Sequence, residues 1–272
     1  MATEDGRVEA LALRYSSDAE AYRELWAPEL LPMARRLLEL VEPSGASRIL
    51  DLGAGVGALY ADERAAAPEA TIFLADRAEG MIRLAPRETP RVLLDARALP
   101  FAPATFDRVL MAVMLFHVPE PARALEGVRA TLRPGGRLGL ATWGEQRSRA
   151  AINAWLEELD AHGAAEDWTI AQHDLMDDEA KVDGLLRSAG FVVESIETVR
   201  SEHPVTLEEF IRLRTRLGTS ARRLLSLSEE AQAACLERAI ARIKDMDPRE
   251  FVDDVDAILA VARHEGRTRA SL

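Results

Sequence analysis

RILDLGAGVG, residues 48–57, joins a short apolar run, one acid and three closely spaced glycines. Ile49 and Leu50 lead to Asp51, and glycines follow at positions 53, 55 and 57. Glycine adopts positive φ without steric cost and lets a ligand approach the backbone closely. The stretch therefore predicts a buried strand that turns into a helix, with a ligand lying against the turn.

The spacing of the glycines indicates which kind of ligand to expect. A dinucleotide turn has the pattern G-x-G-x-x-G, whereas this chain has G-x-G-x-G, with Ala58 in the sixth position. Asp51 at the mouth of the turn would repel a pyrophosphate but can accept hydrogen bonds from an ammonium group. These features disfavour a nucleotide-dependent oxidoreductase and predict a ligand with an amine or a sulfonium.

A second acid supports this interpretation. Asp76 ends the next apolar run, TIFLAD, one strand–helix–strand unit after Asp51. A carboxylate at the end of the second strand can accept hydrogen bonds from both hydroxyls of a ribose. Two acids at consecutive strand ends, with glycines between them, favour a nucleoside-containing ligand over two unrelated surface residues.

Short apolar runs alternate with helical segments through the middle of the chain, which is typical of a parallel sheet covered by helices. The predicted fold is α/β, a Rossmann-like, doubly wound, mostly parallel seven-stranded sheet with N-terminal helices and a helical insertion near the C-terminus. A capping box at Ser17 and Glu20 predicts where an N-terminal helix begins, and a second one at Thr206 and Glu209 opens the insertion. The segment at 251–263 fits a helix or a strand, and we favour a strand at about 256–263.

These elements suggest four regions. Residues 1–45 form N-terminal cap helices, 46–200 the ligand-binding core, 201–247 the helical insertion or lid, and 248–272 the final strand and tail of the core.

Composition narrows the class of protein. The 272 residues carry a net charge of −12, which argues against nucleic acid as a partner. The longest apolar run, Val109 to Phe116, is far shorter than the ~20 residues of a membrane span. The N-terminal sequence has no apolar core for a signal peptide, so we expect a cytoplasmic protein with no membrane partner. The lone Cys235 lies in an apolar helical pattern and is expected in the core. The basic stretch from Arg212 to Arg223 is either a solvated helix face or a site for a small anion.

Four segments resemble a known family in their order and spacing: ILDLGAGVG, LADRAEGMIRLA, DARALPFAPATFDRVLMAVMLFHV and LRPGGRLGLATWG. The family is that of the class I S-adenosylmethionine-dependent methyltransferases. The chain is most similar to the small-molecule branch that includes ubiquinone and menaquinone biosynthesis methyltransferases. The resemblance covers roughly residues 15–145, and it is much more specific for fold and cofactor than for substrate.

The resemblance implies a set of cofactor contacts. Asp51 would orient the turn and reach the methionine amine, Gly53 and Gly55 would let the backbone approach, and Asp76 would hold the ribose. The other implied contacts are Met81 on the adenine, Asp95 and Ala96 at the adenine edge, Arg77 beside the adenosine, Ala112 at the methionine end, and Tyr22 and Trp26 on an N-terminal helix that closes over the cofactor.

The chemistry of such a site needs little beyond positioning, because the sulfonium methyl is already activated. His117, after the fourth strand, is the candidate general base, with loop anchoring as its structural alternative. His173 and His203 are further candidates, and Trp143 could line the acceptor pocket or belong to the core. The scattered histidines predict no metal site.

The expected function is methyl transfer to O, N or C of a small, apolar or aromatic metabolite, with S-adenosylmethionine as cofactor and S-adenosylhomocysteine as product. The alternative is a protein of the same fold that binds the cofactor without transfer, as a cyclase, regulator or partner subunit. The expected partner is the small-molecule acceptor, and a homodimer is kept as a candidate assembly.

Overall fold

A computed structural model describes residues 3–167 and 172–266. Its centre is a seven-stranded sheet with the strand order β3-β2-β1-β4-β5-β7-β6. Strands β1 to β5 are parallel, and β7 runs antiparallel between β5 and β6. The strands are β1 Arg48–Leu52, β2 Thr71–Asp76, β3 Arg91–Leu93, β4 Phe106–Ala112, β5 Leu132–Arg147, β6 Val192–Pro204 and β7 Val252–Arg263.

Helices cover both faces of this sheet. They are α1 Glu4–Ala21, α2 Ala27–Val41, α3 Tyr60–Ala66, α4 Glu79–Leu84, α5 Pro121–Thr131, α6 Ala150–Ala161, α7 Glu179–Ser188, α8 Leu207–Arg216, α9 Gly218–Leu224 and α10 Glu229–Ile243. One large apolar cluster includes residues of α5 and α7, and another includes residues of α2 and α3 on the opposite side of the central strands. The predicted α/β fold with a mostly parallel seven-stranded sheet is confirmed.

The C-terminal segment is a strand, as predicted, and it begins earlier than expected, at Val252. Residues 257–262 are buried between two neighbouring strands. A strand that is buried in this way has an almost continuous apolar sequence, which periodicity cannot distinguish from a buried helix.

The start of the N-terminal helix differs from the prediction. Helix α1 begins after Thr3, whose side chain accepts a hydrogen bond from the amide of Gly6. Ser17 lies inside the helix, and its hydroxyl donates to the carbonyl of Arg14 at 2.8 Å. The Ser17 capping box is therefore wrong, because a serine within a helix can satisfy its hydroxyl on the preceding turn. A π-helical turn, Tyr22–Trp26, joins α1 to α2.

The helices near the C-terminus pack around their own small core. Trp155 of α6, Phe210 of α8 and Cys235 of α10 belong to one buried cluster. Cys235 is 2% exposed, which confirms its predicted place in the core. The capping box of Thr206 and Glu209 opens α8 as predicted. Helix α6 joins this cluster although it precedes the insertion predicted at residues 201–247.

Within the described ranges, no helix has both the length and the apolar composition that crossing a bilayer would require.

Candidate active site

The glycine-rich turn connects the carboxyl end of β1 to α3. Gly53, Gly55 and Gly57 all have positive φ, at 80°, 55° and 71°. A Cβ on Gly53 would lie 2.5 Å from Cγ of Met114, and one on Gly57 would lie 2.7 Å from Cδ of Pro86. Both backbone conformation and packing therefore require glycine at these two positions.

Gly53 and Gly55 line a cleft of about 850 Å³, a volume that includes the space at its open mouth. A Cβ on Gly55 would project toward the ring of Tyr22, with Cε1 at 3.6 Å, so the absent side chain leaves room in the cleft. The cleft lies at the carboxyl ends of the parallel strands, where open α/β sheets bind ligands.

Asp76 at the end of β2 connects the two turns that border the cleft. Its carboxylate accepts hydrogen bonds from the amides of Gly55 at 2.9 Å and Ala78 at 2.8 Å. Burial raises the pKa of Asp76, although these amide hydrogen bonds oppose the shift. The side chain lines the cleft and keeps further lone pairs for a ligand hydroxyl.

Asp51, unlike Asp76, does not reach the cleft. It is 4% exposed and is not among the residues that line the cleft. Burial, reinforced by the negative charge of Asp76, raises its pKa to about 7. Asp51 is buried in β1, two positions before Gly53, the first glycine of the turn.

Asp95 follows β3 and forms the polar edge of the cleft with two arginines. Arg97 donates to it from its amide at 2.9 Å and from Nη2 at 2.8 Å, and Arg77 makes a further ion pair. Burial would raise the pKa of Asp95, but the hydrogen bonds from Arg97 and the charge of Arg77 outweigh it and lower the pKa. The same arginines pair with Glu9 and Asp5 of α1, at 3.3 and 3.0 Å.

Apolar residues form the rest of the wall. Met81, Ala96 and Ala112 line the cleft, as do Val113 and Met114 after β4. Val113 has a φ of 58°, an unusual conformation for a β-branched residue, and its amide donates to the carbonyl of Ala141 at 2.9 Å. Backbone strain of this kind concentrates at functional sites.

Helix α1 covers the cleft with residues that the sequence analysis did not name. Val8, Leu11 and Tyr15 line the cleft together with Tyr22 of the π-helical turn. The helix approaches α4 so closely that a Cβ on Gly80 would lie 2.2 Å from a backbone oxygen of α1. Val8, Tyr15 and Tyr22 recur at seven-residue intervals, a spacing that places them on one helix face and could have revealed them.

The hydroxyl of Tyr15 lies 3.2 Å from Nε2 of His117, and both residues line the cleft. The two rings meet edge to face at 5.8 Å, and the ring of Tyr22 lies 6.2 Å from that of Tyr15. Burial raises the pKa of Tyr15 to about 12, opposed chiefly by the charge of Arg222. The phenol therefore keeps its proton at neutral pH, and its hydroxyl donates to Nε2 or accepts from it according to which ring nitrogen of His117 carries the proton.

Several residues that were predicted to belong to the site lie outside the cleft. Trp26 does not line the cleft but packs against Tyr22 and near Gly218 of α9. His173 stacks on Phe116 at 4.2 Å, and burial lowers its pKa. His203 pairs with Asp253 along β6 and β7. Trp143 packs against both large apolar clusters. Of the predicted cofactor contacts, the cleft brings together Tyr22, Gly53, Gly55, Asp76, Arg77, Met81, Asp95, Ala96 and Ala112.

A metal centre is not part of this geometry. Across residues 3–167 and 172–266, no group of three or more histidine, cysteine, aspartate or glutamate side chains could hold an ion.

Comparisons with known proteins agree with this architecture. Residues 50–140 match the family described as "Methyltransferase domain". An uncharacterized methyltransferase of Mycobacterium tuberculosis is 34% identical over 151 residues, 55% of this chain and 58% of that protein. A demethylmenaquinone methyltransferase of Clavibacter sepedonicus is 38% identical over 104 residues, 36% of this chain and 42% of that protein. The chain thus spans about half the length of these relatives.

Among solved structures, the [4+2]-cyclase SpnF superposes with a TM-score of 0.54 and 17% identity, over 85% of this chain and 79% of that chain. At this identity the likeness concerns the fold alone. Residues 50–140 are a methyltransferase domain, and the chain has the fold of the class I S-adenosylmethionine-dependent methyltransferases.

Proposed function

We propose that this protein transfers a methyl group from S-adenosylmethionine to O, N or C of a small, apolar or aromatic molecule. The observation that carries the proposal is the cleft itself. Two glycines of the turn, Gly53 and Gly55, and the strand-end acids Asp76 and Asp95 line one cavity at the carboxyl edge of the sheet. The turn leaves space where side chains would stand, and the acids supply acceptors for hydroxyl and amine donors.

The polar and apolar groups that line the cleft fit the parts of the cofactor. Asp76 would hold the ribose hydroxyls, and Asp95 with the backbone of Ala96 would bind the adenine edge, over Met81. The turn at Gly53 and Gly55 would receive the methionine portion, with Ala112 beside it. Because Asp51 is buried and does not line the cleft, we expect it to act on the methionine amine through the turn or through water.

S-adenosylmethionine supplies an electrophilic methyl group on a sulfonium centre. The protein orients the acceptor, which can account for ~7–11 kcal/mol of the barrier. Val8 and Leu11 of helix α1 add an apolar wall to the cleft. For an acceptor hydroxyl, His117 is the candidate base, and Tyr15 holds its ring by the Nε2 contact at 3.2 Å.

Calorimetric titration with S-adenosylmethionine and S-adenosylhomocysteine tests cofactor binding. We expect the wild type to bind both ligands and Asp76→Asn to lose at least about tenfold in affinity, because two ribose hydrogen bonds lose a charged acceptor. Glu79→Gln is the matched control: it is an exposed acid on α4 that pairs with Arg83. Absence of binding to the wild type, or an equal loss in the control, would contradict the proposal.

Methyl transfer needs a separate assay, because the cyclase SpnF shows that this fold does not by itself imply transfer. Release of S-adenosylhomocysteine is measured over a panel of phenols, enols, amines and quinols. Cofactor binding without turnover of any panel member would favour the alternative, a protein that binds the cofactor without transferring its methyl group.

A further inference from the structure

The segment that follows β4 borders the cleft in an unusual way. Ala112, Val113 and Met114 all line the cleft, whereas consecutive side chains of an extended strand point to opposite faces. Val113 is the first residue after the strand and has a φ of 58°. A left-handed conformation is costly for a β-branched residue, and it persists only where the surrounding structure holds it. The strained backbone at Val113 therefore sets the direction in which the next residue, Met114, leaves the strand.

Met114 lies along the glycine-rich turn. Its Cγ, Cβ and Cε lie 2.5, 2.8 and 3.4 Å from the position that a Cβ on Gly53 would occupy. The side chain is half-buried and packs against the large apolar cluster that includes residues of α5 and α7. Met114 thus fills the space beside the turn at the position where Gly53 has no side chain.

The same residue is hydrogen-bonded to the candidate base. The amide of His117 donates to the carbonyl of Met114 at 3.0 Å, at the start of the short helical turn Leu115–His117. His117 also lines the cleft. Met114 therefore touches the turn that would receive the methionine portion of the cofactor, and its backbone is fixed to the residue expected on the acceptor side.

We propose that Met114 restricts the group carried on the sulfur of the cofactor to methyl. This inference rests on the proposed function and adds a specificity-determining residue to it. A sulfonium has three substituents. Asp76 would direct the adenosyl substituent, and the turn at Gly53 would direct the methionine chain. The third substituent then faces the wall between the turn and His117, where Met114 lies. Because protein interiors are closely packed, a substituent larger than methyl would collide with the thioether side chain.

Calorimetric titrations of the full-length protein test this inference. They compare S-adenosylmethionine with its S-allyl analogue, in which an allyl group replaces the methyl group, so that the ligands share a charge and differ in size. We expect the wild type to bind S-adenosylmethionine about tenfold or more tightly than the analogue, since overpacking is destabilising. In Met114→Ala, which removes the side chain beyond Cβ, the allyl analogue should bind more tightly than it does to the wild type. A gain of affinity cannot arise from misfolding.

Two further variants make the test specific to the size of this side chain. Met114→Leu keeps most of the volume and should keep the preference for S-adenosylmethionine. Met81→Ala removes the same atoms from a methionine that lines the cleft at the end expected to hold the adenine. It should weaken the binding of both ligands by the same factor, so the preference should not change. A gain for the allyl analogue in Met81→Ala as large as that in Met114→Ala would contradict the role of Met114.

Two other outcomes overturn the inference: equal affinity of the wild type for the two ligands, and an unchanged preference in Met114→Ala. This inference and the proposed function fail in different ways. If neither S-adenosylmethionine nor S-adenosylhomocysteine binds to the wild type, the proposed function fails. Binding of S-adenosylmethionine without discrimination against the allyl analogue contradicts only the role of Met114.

Discussion

Glu63 offers a sharp test of how the glycine-rich turn is supported. It lies on α3, directly after the turn, and it is fully buried. Neither of its carboxyl oxygens makes a hydrogen bond within the described residues. Burial, followed by the nearby charge of Asp51, raises its pKa well above 4.5, while Arg64 opposes the shift and Asp62 adds to it. We therefore expect the folded protein to hold the Glu63 proton at pH values at which the unfolded chain has already released it.

Holding this proton lowers the stability of the fold by an amount that depends on pH. Above pH 4.5 the unfolded chain releases the Glu63 proton, whereas the folded chain retains it. The free energy of unfolding then falls by about 1.4 kcal/mol for each pH unit, until the pH reaches the pKa of folded Glu63. Glu63→Gln has no such proton, so its stability relative to wild type should rise between pH 5.5 and pH 7.0, by up to about 2 kcal/mol when folded Glu63 keeps its proton over the whole interval.

Urea denaturation at several pH values, in the absence of cofactor, measures this difference. Asp62→Asn is the matched control on the same helix, because Asp62 is partly exposed and pairs with Arg35 at 2.9 Å. The control should show no such growth with pH. A stability difference between Glu63→Gln and wild type that is constant from pH 5.5 to 7.0 would refute the reasoning, because it would mean that folded Glu63 is ionised.

Four further predictions concern the cleft and the helical insertion. If His117 is the base for a hydroxyl acceptor, His117→Gln should lower the rate of transfer by ~10²–10⁴-fold and leave the affinity for S-adenosylhomocysteine unchanged. Tyr15→Phe keeps the ring but loses the contact with His117, so the thermal midpoint should fall by an amount equivalent to ~1 kcal/mol, measured by calorimetry. Gly53→Ala should weaken cofactor binding and destabilise the fold by ~1–3 kcal/mol, because its Cβ meets Met114 and its φ is positive. Trp155→Ala should cost ~3–5 kcal/mol in denaturation experiments, since the side chain is 1% exposed in the core of the helical insertion.

Much of the fold follows from local patterns in the sequence. The run from Arg48 to Leu52 and its glycines are a strand and a turn because both features are local: apolar residues favour burial, and glycine allows positive φ. The capping box at Thr206 is local as well. The N-terminal helix shows the limit of such reasoning. Ser17 has the residue type of a cap, yet tertiary contacts of α1 with α4 extend the helix past it.

The candidate site also contains residues that the sequence could predict and residues that it could not. Asp76 and Asp95 could be predicted because each follows a strand, and the carboxyl ends of parallel strands meet at one edge of a sheet. Tyr15 could not, since its position depends on how α1 packs over that edge. The pairing of Tyr15 with His117 joins residues 102 positions apart, and no short-range pattern encodes such a contact.

The sequence by itself determined the strand–turn–helix unit at residues 48–57, the alternation of strands and helices, and the acids at the strand ends. These features rest on backbone preferences and on the period of apolar residues, which act over a few positions. Tertiary structure alone decided that Asp51 is buried away from the cleft lining, that Val8 and Leu11 of α1 line the cleft, and that Tyr15 contacts His117. Burial and electrostatic interactions act between segments distant along the chain, so the environment of a side chain exists only once those segments have packed together.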